Sequence, residues 1–397
     1  MDNLPWGNNQ NLNDNQFYNR INELNNFKYM LNSTSVGSPP NILLTGIRSV
    51  GKTVFLKKVK KDLEKEGYLV YYIDFSQAEC FKKNEMSIRG LIEFLFKQII
   101  ICSYNNPLKI LNKKIEKYFK TKDFNFDNIQ NINGIPIPIF KSEINDEDLF
   151  DFVLKFPEKI YDDNKDSIKG IIILIDEFQI IKQLNNYKES FLWKLRSYIQ
   201  NQNHVAYVFT GSMSMQDKLI SEIASQNGAF GGRMITFQLN PFSKETVESY
   251  LNERVHELIF TKEGFERFYK CTSGIPAYVN IFAKLLPKNI ELDEEMIINE
   301  FDESIYYISA HLINIWSRLS YREQTIIISL LEKPLKRIEI AKSLNVSSGS
   351  LSYYLINLQN LSLINLNNNL YTISEPLLAR WLKLEYEKKQ DYPHNII

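Results

Sequence analysis

Residues 41–53 read NILLTGIRSVGKT, an apolar run that ends at Gly46, then four residues, then Gly51-Lys52-Thr53. The GxxxxGK[ST] spacing constrains the fold more than any other feature of the chain. It works only where a strand runs into the loop and a helix leaves it, because the turn must bring successive backbone N–H groups round an anion. Residues 41–45 supply the strand. In residues 54–66, Val54, Leu56 or Lys57, Val59 and Leu63 fall near the 3.6-residue spacing of a helix. Gly46 and Gly51 permit backbone geometry and a close approach that a Cβ would block. Ile47, Arg48, Ser49 and Val50 complete the cradle and Val54 follows it. In such a loop Lys52 reaches the β and γ phosphates of a nucleotide, and the Thr53 hydroxyl is placed for Mg²⁺. The competing reading is a chance GKT at a strand-to-helix turn.

A second motif weighs against chance. In GIIILIDEFQ, residues 170–179, the run Ile171 to Ile175 shows no alternation, which suits a central strand covered on both faces of a parallel sheet. It ends in Asp176-Glu177, and carboxylates at the carboxyl end of such a strand stand where open α/β sheets bind ligands. Asp176 would hold Mg²⁺, directly or through water, and Glu177 would polarise the attacking water. Acidic residues also cap helices after strands, so the pairing with the first motif carries this reading.

The chain has 397 residues, enough for two or three domains. Lys plus Arg (47) balances Asp plus Glu (47), so no global field draws it toward nucleic acid or anionic lipid and any such contact is local. Cys80, Cys102 and Cys271 are odd in number and far apart, which argues against a disulfide framework or zinc site and for a reducing, cytoplasmic compartment. His204, His256, His311 and His394 are scattered and suggest neither a metal cluster nor histidine catalysis. With no signal peptide and no apolar run near 18 residues, no membrane partner is expected.

Along the chain, residues 1–35 divide into an Asn-rich, poorly ordered lead and an amphipathic helix over 17–31. Residues 36–240 form the core, with strands over 41–45, 69–75, 170–176, 204–210 and 234–239 and helices over 88–103, 146–161 and 187–201. Residues 105–145 look irregular, an insertion lying on the core or a partner-binding loop. Residues 241–318 read as all-helical, with Pro241 and Ser243 as a helix start, and would cover the nucleotide as a lid. From 319 to 397 the pattern is that of a winged helix: helices over 321–331, KRIEIAKSLN and SSGSLSYYLINLQNLSLI, then a hairpin over NLNNNLYTIS. Leu351, Leu355 and Leu358 form the buried stripe of the third helix, opposite Ser350, Ser352, Tyr353 and Asn357.

The strand bearing Asp176 is third in sequence, so another strand can lie between the two motif strands. That placement, with Glu after Asp, resembles the additional-strand P-loop NTPases, which implies an α/β fold with a parallel sheet of order 5-1-4-3-2. Further pieces resemble the archaeal-type ATPases of the STAND group, relatives of AAA+ and origin-recognition initiator ATPases. They are Asn19-Arg20 with Glu23-Leu24, GIRSVGKTVFL, LIDEFQ, FTGS at 209–212, GGR at 231–233, NPFS at 240–243, SGIP at 273–276 and YTISEPLLARWL at 371–382. The resemblance spans nearly the whole chain and implies ATP and Mg²⁺ as cofactors. It places Arg20 at the nucleotide, Thr210 or Ser212 at the sensor-1 position, and Arg233 where relatives carry an arginine finger for a neighbouring subunit, hence a homo-oligomer. It also packs Pro276 of a GxP element on adenine in place of a sensor-2 arginine. A helix cap, a surface arginine and a plain helix break are the plainer readings of these three.

A DNA-reading helix brings Lys or Arg to phosphates and bases, yet residues 347–360 contain no charged side chain. Lys336, Arg337 and Lys342 just before it would have to hold a DNA backbone, and three cations also describe an ordinary solvated face. The sequence therefore points to a slow Mg²⁺-dependent ATPase used as a conformational switch. Two rivals stay open, a DNA-binding regulator or mobile-element helper whose assembly ATP sets, and a nucleotide-holding scaffold for a protein partner without turnover.

Overall fold

The computed structural model describes residues 4–5, 16–82, 86–106, 126–211, 218–225, 228–361 and 363–394. The strands are β1 (Asn41–Thr45), β2 (Leu69–Asp74), β3 (Phe126–Ile132), β4 (Ile135–Phe140), β5 (Ile171–Asp176), β6 (Val205–Thr210), β7 (Ile235–Gln238), β8 (Ile259–Phe260), β9 (Glu291–Leu292), β10 (Ile364–Asn367) and β11 (Leu370–Ile373). The central sheet has the order β2-β5-β6-β1-β7, parallel throughout. One strand, β6, separates the two motif strands β1 and β5.

Two apolar layers sandwich this sheet, and successive strand residues feed them alternately. Leu43, Ile171, Ile173, Ile175, Tyr207 and Phe209 face the helices Ile88–Tyr104, Asp146–Asp162 and Lys188–Ile199. Ile42, Leu44, Ile172, Leu174, Ala206 and Val208 face Ile21–Asn32 and Lys52–Lys65. The runs lack polar alternation because both faces are covered. The parallel arrangement puts the carboxyl ends of β5, β6 and β1 in a row at one edge of the sheet.

The segment expected to be irregular contains a hairpin in its described part: β3 and β4 pair antiparallel. Pro136 and Pro138 fall at alternate positions, so their missing N–H groups lie on one edge and leave the other to pair with β3. Residues 107–125 lie outside the described residues.

Residues expected to be all-helical carry four helices, Lys244–Arg254, Lys262–Thr272, Pro276–Leu285 and Glu294–Trp316, and also the short parallel pair β8-β9. Ser243 caps the first of them, its side chain accepting from Thr246 N. After Trp316 come Tyr321–Ser329, Arg337–Ser343 and Ser352–Asn360, the antiparallel β10-β11 hairpin and a last helix, Pro376–Lys389, that the sequence reading did not place. Leu335 joins the hairpin through paired backbone bonds with Tyr371. The stripe Leu351, Leu355 and Leu358 is buried. One continuous core runs from Phe242 through the 244–316 helices to Leu384, so the two parts are packed as a single body. Leu4, from the lead expected to be poorly ordered, is buried in the same core. Among the described residues no helix is long and apolar enough to cross a membrane.

Candidate nucleotide site

The loop after β1 has the geometry its glycines allow. Gly46 has φ 150°, and a Cβ there would lie 2.6 Å from the Leu239 carbonyl oxygen, so no side chain fits. Ser49 (φ 63°) and Gly51 (φ 98°) also take left-handed backbone before the helix Lys52–Lys65 begins. Lys52 is 8% exposed and its Nζ donates to the carbonyls of Gly46 (2.7 Å) and Ile47 (2.9 Å). Burial pushes its ammonium down to about 8, while the charges of Asp176 and Glu177 work against that shift.

The two motifs meet. Thr53 Oγ1 donates to Asp176 Oδ2 at 2.7 Å, and Tyr72, one strand over on β2, donates its hydroxyl to the same oxygen at 2.7 Å. Asp176 Oδ1 accepts from Glu177 N at 2.9 Å. Glu177 has φ 55° and its carboxylate accepts from Gln179 Nε2. Burial raises the Glu177 pKa, and the Gln179 bond opposes that rise.

Beside the loop lies a cleft walled by Arg20, Val50, Gly51, Phe242, Tyr250, Pro276 and Asn280, with Pro5 and Tyr18 at its N-terminal side. It holds ≈ 610 Å³ of empty space, most of it in its solvent-open mouth. Arg20, in left-handed backbone, donates Nη2 to the Val50 carbonyl at 3.2 Å and sets its guanidinium 5.0 Å from the Phe242 ring centroid. Pro276 opens the helix Pro276–Leu285. The turn before it is pinned to the NPFS segment: Phe242 N donates to Gly274 O at 2.9 Å, and a Cβ at Gly274 (φ 66°) would sit 2.1 Å from Phe242 O.

Thr210 and Arg233 take their hydrogen bonds outside this cluster. The Thr210 hydroxyl is fully buried and donates to Leu44 O at 2.8 Å, so it is committed to the neighbouring strand. Ser212 lies outside the described residues. Arg233 is exposed and reaches Gln200 Oε1 at 3.4 Å. Sequence reasoning missed Tyr72, Tyr18 and Pro5. Tyr72 could have been found, since it lies near the carboxyl end of a strand that pairs with β5; nothing in the Asn-rich lead marks Pro5.

Fold and site define a P-loop ATPase domain. Residues 17–282 match the family described as an ATPase domain predominantly from Archaea, and the chain belongs to that family. Among curated relatives, an uncharacterised ATP-binding protein of Methanocaldococcus jannaschii is 22% identical over 355 residues, covering 84% of this chain and 87% of the relative. Among solved structures, the Walker-type ATPase of Pyrococcus abyssi is similar with a TM-score of 0.62 at 18% identity, covering 94% of this chain and 99% of that one. The Aeropyrum pernix ORC2 protein, solved in ADPNP and ADP complexes, is similar with a TM-score of 0.50 at 12% identity, covering 94% and 95%. These two likenesses concern the fold.

Proposed function

We propose that the protein binds ATP with Mg²⁺ and hydrolyses it slowly, using the nucleotide state to bias the position of its lid and C-terminal unit. The observation that carries this reading is the 2.7 Å contact between Thr53 and Asp176, which brings the phosphate loop and the acidic strand end to one point. Hard oxygen donors so placed suit Mg²⁺, and Thr53 and Asp176 would hold it. When bound, the ion neutralises charge developing on the phosphates. Lys52 supplies the cation for the β and γ phosphates, and Glu177 orients the attacking water once Gln179 releases it. The base enters the cleft between Arg20, Phe242, Tyr250 and Pro276, where aromatic walls and the Asn280 amide favour a flat heterocycle with polar edges.

Full-length wild type and Lys52→Ala are compared by thermal melting with Mg²⁺ and ATP. At ligand one hundred times Kd the wild type gains about 2.7 kcal/mol, and Lys52→Ala gains none. An equal shift in both proteins would sink the phosphate-cradle assignment.

The finer architecture belongs to the same proposal: kinship with STAND and AAA+ ATPases, Arg233 acting across a subunit boundary, a cytoplasmic location, and a C-terminal winged helix. For the winged helix, contact with a protein is the better-supported reading over contact with DNA. Arg337, one of three cations that a DNA backbone would need, spends its guanidinium on the Ser348 and Gly349 carbonyls and the Ser352 hydroxyl. The third helix instead exposes Tyr353 (74%) and Ile356 (47%).

A further inference from the structure

Asp176, the carboxylate at which the two motifs meet, is 3% exposed and carries different loads on its two oxygens. Oδ1 accepts the Glu177 backbone N–H at 2.9 Å, whereas Oδ2 accepts two hydroxyls, those of Thr53 and Tyr72, each at 2.7 Å. An ionised carboxylate offers about two lone-pair sites on each oxygen. The two hydroxyls therefore fill Oδ2 and leave capacity at Oδ1.

Strand geometry brings Tyr72 to this point. β2 and β5 run parallel with Tyr72 opposite Leu174. Side chains alternate between faces along a strand, so Tyr72, Leu174 and Asp176 share the face that packs on the helix Lys52–Lys65. Asp176 stands one two-residue step beyond Leu174, about 7 Å along the strand, a gap that a tyrosine spans with the hydroxyl at the end of its ring. From the helix side the Lys57 ammonium, one turn after Thr53, lies 5.8 Å from the centre of that ring, within cation–π range. Strand and helix together hold the ring, and the hydroxyl has Asp176 as its hydrogen-bond acceptor.

The two hydroxyls on Oδ2 differ in what else they can do. Thr53 has a second task in the proposed reaction, since its oxygen would also face Mg²⁺. A phenol keeps its proton at neutral pH and presents it as a donor, so the Tyr72 bond serves to orient the carboxylate. Partners of this kind, one step removed from a metal, typically contribute about 10-fold to 100-fold in metal affinity.

We propose that Tyr72 is a positioning residue for the metal: its hydroxyl, bonded to Asp176 Oδ2, fixes the carboxylate with which Asp176 and Thr53 hold the Mg²⁺ that accompanies the nucleotide. The proposal rests on the nucleotide reading above. Tyr72 acts through Asp176 alone, so it governs what Mg²⁺ adds to nucleotide affinity and leaves metal-free binding as it is.

The test is a titration of the full chain with a non-hydrolysable fluorescent ATP analogue, once in excess EDTA and once in excess Mg²⁺, using wild type, Tyr72→Phe, Asp176→Asn and the double variant. Phenylalanine keeps the ring and its contact with Lys57, so the fold is retained. Wild type should bind more tightly with Mg²⁺. Tyr72→Phe should match it in EDTA and lose about tenfold of the Mg²⁺ enhancement. In the Asp176→Asn background the same change should cost nothing further, because the carboxylate it positions is gone. An enhancement in Tyr72→Phe equal to or larger than that of wild type overturns this inference alone, as does an equal loss of affinity in EDTA and in Mg²⁺. Wild type that binds equally in both conditions removes the metal role and this inference, and leaves the phosphate cradle standing. Absence of binding by wild type in either condition removes the nucleotide reading itself.

Discussion

The side-chain amide of Gln179 donates to the carboxylate of Glu177, two residues before it, and so restrains the group that would have to face the attacking water. Glu177 itself holds a left-handed backbone at φ 55°, a conformation that a non-glycine residue keeps only where its surroundings enforce it. On the proposed hydrolysis, this bond would hold Glu177 back from the attacking water.

Removing the restraint should therefore speed turnover. Gln179→Ala is expected to raise the basal ATPase rate severalfold, whereas Glu177→Gln should keep ATP-dependent thermal stabilisation and lose about 10² to 10⁴ in rate. Multiple-turnover phosphate release measures both. A slower Gln179→Ala enzyme would mean that the amide positions Glu177 for catalysis.

Arg233 is exposed and spends its hydrogen bond on Gln200, outside the Thr53–Asp176 cluster. If it serves a neighbouring subunit, mixing Arg233→Ala with Glu177→Gln should restore hydrolysis above the sum of the two alone, because one site then draws an intact acid and an intact arginine from different chains. Hydrolysis against mixing ratio checks this. Simple additivity, with a monomer in light scattering, would leave Arg233 a surface residue.

Glu375, buried just before the last helix and bonded by the Tyr278 hydroxyl at 2.9 Å, makes stability depend on pH. Its folded pKa, about 7, lies above the ordinary 4.5. The folded state therefore binds the extra proton between these values, and stability falls as pH rises through that window. Glu375→Gln cannot ionise, so its advantage over the nucleotide-free wild type should be absent near pH 4.5, grow to about pH 7 and then level off. The ceiling is about 3 kcal/mol. Urea unfolding at both ends of the window measures it, and a constant difference would disprove the linkage.

With Arg337 committed to Ser348, Gly349 and Ser352, only Lys336 and Lys342 of the three cations remain for a DNA backbone. Any DNA binding by the C-terminal unit should then show a log–log salt slope no steeper than about −1.8, at about −0.9 per phosphate. Arg337→Ala should cost about 1 kcal/mol of stability by freeing the turn it holds. A slope of about −3 or steeper in a low-salt titration would require Arg337 to leave its partners.

The motif strands were legible because the chemistry demands them: a phosphate loop needs β1 before it, and five apolar residues ending in Asp176-Glu177 suit a strand covered on both faces. The hairpin of β3 and β4 was not, since two prolines within six residues ordinarily argue against a strand and are tolerated here only because they share an unpaired edge. Leu4 and Pro5 were hidden by the asparagines around them. The hydrogen bond from Tyr278 to Glu375 was out of reach for another reason: its partners lie in two distant segments and carry no common spacing, so only packing brings them together. Arg337 shows a different limit: its bonds to Ser348, Gly349 and Ser352 are made across a turn that spacing alone does not reveal.

The cleft draws on Pro5, Arg20, the loop tip at 49–51 and the 242–280 stretch. Contacts so distant in sequence form late and slowly. The sheet itself needs contacts of that span, β1 with β7 among them, so enclosure of a nucleotide waits on the same long-range closure. Ligand would then reward only the last step of assembly, acting as a seal on finished molecules and leaving half-built ones unaided.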